Sequence, residues 1–208
     1  MGLHHAGFDV TGVDIEPQPR YPFNFVQADA LEFPLDGYDF IWASPPCQAY
    51  AQAALGPRNA GKSYQALIEP VRRRLESAGV PFAIENVMEA PLKNAFMLCG
   101  SMFGLRVWRH RLFETNFWRL TLMHPCNHVG LGICAVGRGT PSWIRSKNGG
   151  KNISTAEVRA AMGIDWMNRL ELSQAIPPAY SEFIGRHALE FLARIEPELR
   201  TVRHCCIG

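Results

Sequence analysis

The sequence predicts one α/β domain with a mostly parallel sheet, and three observations carry that reading. Short β-rich runs alternate with helical stretches, the pattern of right-handed crossover units. An acidic residue or a cysteine closes each of four such runs, at Asp14, Asp29, Cys47 and Glu85. Ligands of open α/β sheets bind beyond the carboxyl ends of the strands, so these four residues converge on one place. A length of 208 residues, with 47% hydrophobic and 19% charged composition, suits one core of this size.

Each element follows from its local chemistry. "FDVTGVDI" (Phe8 to Ile15) is β-rich, and the "EPQPRYP" after it excludes regular structure. "FNFVQADALEF" reads as a second short strand running into a loop at Asp29. "YDFIWASPP" is a third strand, stopped by Pro45 and Pro46, which lack amide donors. "SYQALIEPVRRRLESAGV" has helical spacing, with Leu67, Ile68, Val71 and Leu75 on one side and Gly79 at its end. "PFAIENV" is a buried strand ending in a carboxylate, and "RHRLFETNF" a later one. Phe117 to Ser154 is rich in Gly, Asn and Arg and stays unassigned. "STAEVRAAMGI" is a short helix with Ser154 as cap and Glu157 completing a capping box. "IPPAYSEFIGRHALEFLARI" is a longer amphipathic helix that offers Phe183, Ile184, Leu189, Phe191 and Leu192 for burial.

Bulk properties bound the function. Net charge is +2 and the pI about 8.3, so the chain as a whole is not polybasic. Arg106, Arg109, Arg111, Arg119, Arg138, Arg145, Lys147 and Lys151 nevertheless gather in the second half and can form a basic face. The six cysteines have no regular spacing, and neither a signal peptide nor a membrane-spanning run is present, so free thiols in a reducing cytoplasm are expected.

"IWASPPCQAYAQAALGPRNAGKS" holds two competing signatures. Gly56 to Ser63 fits the phosphate-loop pattern, but such a loop needs a strand leading straight into its glycine turn. The alanine-rich "CQAYAQAAL" before Gly56 is not a strand; the actual strand delivers Cys47 instead. Two prolines stiffen the turn in front of Cys47, and a helix starting behind it would favour the thiolate.

"SPPCQAYA", then "AIENV", then "RHRLF", in this order, resemble the core motifs of the C5-cytosine DNA methyltransferases. "HHAGFDVTGVDIEP" and "VQADALEF" are similar to the stretches behind that family's opening glycine loop, and "STAEVRAAMGI…LSQAIPPAYSEFIG" to its closing motifs. The resemblance implies a Rossmann-like S-adenosylmethionine-dependent methyltransferase sheet in a small, phage-like member of the family. Residues 1–116 would be the catalytic and cofactor domain and 117–153 a very short recognition insert. Residues 154–200 would be helices packing back. DNA is the implied partner.

By the same resemblance Cys47 is the nucleophile that adds to carbon-6 of cytosine. Glu85 is the acid at ring nitrogen 3 and would need a raised pKa. Arg111, with Arg109 beside it, would hold the base's carbonyl or a phosphate, and Asn86 would orient Glu85 or the Cys47 loop. Alternation along "RHRLF" puts the two arginines on one face of the strand. Asp14 would meet the ribose, and Asp29, with Ala30, the adenine, with Ile15, Pro45, Gln174 and Ala175 completing the cofactor site. Gln48, Tyr50, Arg58 and Lys62 would close over a flipped nucleotide.

Three departures stand out. Val107 replaces a usual glutamine two residues before Arg109. The family's opening strand and glycine-rich turn do not precede "MGLHHAGF", so a sheet missing its first strand is expected. The insert is short enough to imply low sequence specificity. It contains His124, Cys126 and His128, with Cys134 later, but this spacing is tighter than that of usual structural zinc sites, and no metal is assigned. Cys99, Cys205 and Cys206 are read as structural or incidental. The rival readings are a catalytically silent DNA-binding relative, a methyltransferase of RNA or free nucleotides, and a nucleotide-triphosphate binder.

Overall fold

In a computed structural model, residues 1–51, 60–117, 124–129, 132–133, 151–195 and 202–208 are described. The strands are β1 (Phe8–Asp14), β2 (Asn24–Gln27), β3 (Phe40–Ala43), β4 (Phe82–Asn86), β5 (Phe96–Leu98), β6 (Arg111–Thr115) and β7 (Arg203–Ile207). The helices are α1 (Gly2–Ala6), α2 (Ile68–Ala78), α3 (Thr155–Met162), α4 (Arg169–Gln174) and α5 (Pro178–Ile195). The strands form a seven-stranded mixed sheet in the order β2-β1-β7-β3-β4-β6-β5, consistent with a Rossmann-like fold. Pairing is parallel from β2 to β4 and antiparallel where β6 meets β4 and β5. No helix among the described residues is long and apolar enough to cross a membrane.

The expected gap in the sheet is not there. β7 lies between β1 and β3, parallel to both, pairing Phe8 with Arg203 and Phe40 with Cys205. Beyond β7 the Gly208 N–H donates to the Trp42 carbonyl at 3.0 Å, and the Ser44 N–H donates to Gly208 at 2.6 Å. The backbone of β1 and β3 is thereby paired, as buried amides require. Cys205 and Cys206 are accordingly buried core residues, and burial pushes both thiols up, Cys206 to about 12. Arg203 anchors the strand's start with an ion pair to Asp39 at 3.1 Å. The run "RHCCI" is short, with charged residues at its start, so it carries no period-2 signal that the sequence reading could use.

Two helical layers cover the sheet. Val71 and Leu75 of α2 pack with Ile41, Phe82, Ile84 and Cys206 on one face. On the other, Leu3 of α1 and Tyr180, Ile184, Ala188 and Leu192 of α5 pack with Phe8, Phe40, Trp42 and Phe113. The predicted apolar stripe of α5 is therefore its buried side, and Phe117 belongs to this core, its ring edge-on to Phe40. A satellite core joins Val158, Met162, Ile164 and Leu172 of the tail to Val107, Ile133 and Ile153. Ser154 and Glu157 form the predicted capping box, with Glu157 N–H donating to Ser154 Oγ at 3.2 Å. Asn168 and Glu171 form a second one at the start of α4. Arg72 is the largest fully buried side chain among the described residues, held between helix and sheet by Glu114 of β6.

Candidate active site

β3 and β4 are parallel neighbours in the register Ala43↔Ile84, so Ser44 and Glu85 leave the sheet side by side. Glu85 is buried, with 8% of its surface exposed. Its carboxylate accepts from Arg111 Nε at 2.9 Å, and Ser44 hydrogen-bonds to it. Trp42 Nε1 in turn donates to Ser44 Oγ at 2.9 Å. Burial pushes the Glu85 carboxyl above the usual carboxylate range, and the opposing pull of Arg111, Ser44 and Arg109 does not cancel it. Glu85 pairs with Phe113 across the ladder, and Arg111 lies two residues before Phe113, so Arg111 and Glu85 share one face.

Arg109 sits differently. It precedes β6, and its guanidinium turns to the tail, donating to the Ser173 carbonyl at 2.6 Å. Its own carbonyl accepts from the buried Tyr180 hydroxyl at 2.7 Å. Strand alternation therefore does not pair the two arginines, because β6 begins only at Arg111. Of the expected basic face, Arg109 and Arg111 are turned inward, while Arg119, Arg138, Arg145 and Lys147 lie outside the described residues.

Cys47 opens a 3-10 turn, Cys47–Ala49, immediately after the two prolines. It is half-buried, and its carbonyl accepts from the Tyr50 and Ala51 N–H groups. The expected helix behind it is this single turn, too short to carry much macrodipole. Asn86 ties the neighbouring strands together: its Nδ2 donates to the Pro45 carbonyl at 2.8 Å, two residues before Cys47. Asn86 thus positions the loop that bears the thiol. Gln48 is exposed and Tyr50 half-buried beside it, Lys62 is exposed, and Arg58 lies outside the described residues with the first half of the phosphate-loop-like stretch.

The chain's proposed cofactor residues surround two adjoining cavities. Asp14, Ile15, Asp29, Ala30 and Pro45 line one of about 350 Å³. Gln174 and Ala175 line the other, of about 330 Å³, which Glu85 also reaches. Val13, Asp14, Trp42, Ser44 and Gly208 border both. Volumes of this order suit a small organic ligand. Asp14 Oδ1 accepts from the Glu16 N–H at 2.9 Å, and Oδ2 from Gln18 Nε2 at 3.1 Å. Arg20, from the loop behind β1, pairs with Glu171 of α4 and closes the tail over this end of the sheet. Sequence reasoning gives no role to Ser44, Trp42 or Gly208: Ser44 opens the "SPPCQAYA" run without a partner visible in the sequence, and Gly208 follows the unforeseen β7.

Compared with models of protein families and with curated proteins, the chain has no match.

Proposed function

We propose that this chain is an S-adenosylmethionine-dependent methyltransferase acting on carbon-5 of cytosine in DNA. The observation that carries the proposal is the buried Glu85 carboxyl, raised by desolvation and hydrogen-bonded to Arg111, beside the strand that delivers Cys47. A buried acid with a raised pKa, on the strand neighbouring the one that delivers a thiol, suits addition to a pyrimidine ring.

The Cys47 thiolate adds to ring carbon-6, and the displaced electron density runs to nitrogen 3, where Glu85 donates its proton. Arg111 is available to steady the ring carbonyl once Glu85 turns to the base. Carbon-5, now the nucleophilic end of an enamine, would take the methyl group as its bond to the donor's sulfonium sulfur breaks and that sulfur leaves as a neutral thioether. Loss of the carbon-5 proton to a solvent base then restores the ring double bond, expels Cys47 as thiolate and returns the nitrogen-3 proton to Glu85. Asn86 keeps the Cys47 loop at a fixed height above β4 through the Pro45 carbonyl.

S-adenosylmethionine supplies an electrophilic methyl on a sulfonium sulfur when bound. The residues fit it: Asp14 offers a carboxylate at the end of β1 for ribose hydroxyls, and Asp29 and Ala30 border an apolar wall with Phe33, Leu35 and Pro45. Gly208, just beyond β7, borders both cavities, and Met1 and Gly2 border the one that Glu85 reaches. The placing of β7 between β1 and β3 supports this reading, because it pairs the two strands that a missing first strand would leave open.

The test is transfer of tritiated methyl from S-adenosylmethionine to duplex DNA, single-stranded DNA, RNA and dCMP. Label in duplex DNA, abolished in Cys47→Ser, is the expected result. Label only in RNA or dCMP would reassign the substrate, and none above the Cys47→Ser background would refute the proposal.

A further inference from the structure

Cys99 follows β5 directly and is fully buried, His110 directly precedes β6, and Cys126 and His128 lie in the 124–129 segment. One ligand atom from each, two sulfurs and two imidazole nitrogens, all fall within 4.8 Å of one another. We propose that these four side chains are a tetrahedral zinc site that clips the insert to the edge of the sheet.

The distances argue for it. Zinc bonds of about 2.3 Å to sulfur and about 2.0–2.1 Å to nitrogen, at tetrahedral angles, put neighbouring ligand atoms roughly 3.3–3.8 Å apart. Cys99 Sγ to His128 Nε2 is 3.3 Å, and Cys126 Sγ to His110 Nε2 is 3.7 Å. Two cysteines and two histidines are a soft set, which selects zinc over magnesium or calcium.

The surroundings are built for the same purpose. The His128 ring stacks on Trp108, centroids 4.7 Å apart, and meets His110 edge-on at 4.9 Å, which fixes both imidazoles. Ser101 Oγ donates to Cys99 Sγ at 3.3 Å and accepts from the Asn127 N–H at 3.0 Å, an outer partner of the kind that orients thiolate ligands. Gly100 lets the chain at Val107 pass: a Cβ there would lie 2.1 Å from the Val107 carbonyl oxygen.

The segment also needs such a clip. Of residues 124–129, only Cys126 is even half-buried, and Val129 is 84% exposed. Apolar burial does not hold this stretch against the sheet, whereas a metal would bind it to both β5 and β6. On loading, the two thiol protons leave to solvent. The sequence spacing draws notice to His124, Cys126, His128 and Cys134 but assigns them no metal. His124 is outside the cluster, Cys134 is outside the described residues, and two of the true candidates come from far upstream.

The test uses the full chain, purified without chelator, and reads metal rather than methyl transfer. Mass spectrometry of the purified protein is expected to find one zinc per chain. Cobalt(II) added after chelation should give the visible bands of a tetrahedral centre with thiolate-to-cobalt charge transfer. Cys126→Ser and His128→Ala should each weaken cobalt binding by about tenfold or more, and His124→Ala should not, with circular dichroism reporting that each is folded. His128 is exposed, so its variant stays informative even if Cys126→Ser does not fold. A wild-type protein without the thiolate band, or equal losses in His124→Ala and His128→Ala, would overturn the site.

Discussion

Replacing Arg72 by Met isolates the buried ion pair that joins α2 to β6. The Glu114 carboxylate accepts from Arg72 Nε at 2.6 Å, from Arg72 Nη2 at 2.8 Å, and from the Lys93 N–H at 2.7 Å. Arg72 also donates to the Pro91 carbonyl at 3.0 Å and to Glu69. Met keeps most of the apolar stem, so packing changes little, but Glu114 is left with one donor at 5% exposure. Stranding one partner of such a pair costs about 3–5 kcal/mol. That is a large share of the roughly 5–15 kcal/mol available to a domain. Converting Glu114 to Gln in the same chain removes the stranded charge while keeping an acceptor for Lys93. The double variant should therefore recover about half of the loss or more, a non-additivity expected of direct partners. Urea unfolding followed by circular dichroism and tryptophan fluorescence measures both. A loss under about 1 kcal/mol in Arg72→Met, or a double variant weaker than the single, would show that the pair does not fix this seam.

Further outcomes follow from the site. Methyl transfer should fall as pH rises through the elevated Glu85 value, because only the protonated carboxyl serves nitrogen 3; any stability linked to that shift runs the same way, present below the unfolded value and lost as pH rises through the folded one. Glu85→Gln should lower kcat by about 10²–10⁴-fold and flatten that limb, and a pH–rate profile unchanged in shape would contradict the assignment. Arg111→Gln removes the strongest force opposing the shift, so the same limb should move to higher pH in whatever activity survives. Asn86→Ala frees the Pro45 carbonyl and should cost about 10²-fold in kcat through a misplaced Cys47, while equilibrium dialysis finds S-adenosylmethionine affinity little changed. Tyr180→Phe strands the Arg109 carbonyl and should destabilise by about 1–2 kcal/mol in thermal unfolding.

The parts of this molecule visible in its sequence were those with a local signature. Strands β1, β3 and β4 announce themselves through apolar runs bounded by Pro and Gly, and the Ser154–Glu157 cap through its fixed spacing. Cys47 and Glu85 could be singled out because each ends such a run. What depended on distant pairing was hidden. Ser44 matters only through its neighbour across the β3–β4 ladder, and Arg109 turns to the tail because Ser173 and Tyr180 meet it there. Cys99 and Cys126 were scattered thiols in one dimension and neighbours in three. β7 was the largest omission, since five residues after a long helix carry no periodic signal, and only the open slot between β1 and β3 explains why they extend.

That slot has a kinetic consequence. Among the described elements, the strand joining the two halves of the sheet is the last to emerge during synthesis. Until it arrives, β1 and β3 face each other as bare edges, the kind that recruits other nascent chains. Pairings between such remote residues also form slowly. The newborn polypeptide is thus more exposed to misassembly than the finished one, and its yield in a cell should track holdase chaperone supply rather than equilibrium stability.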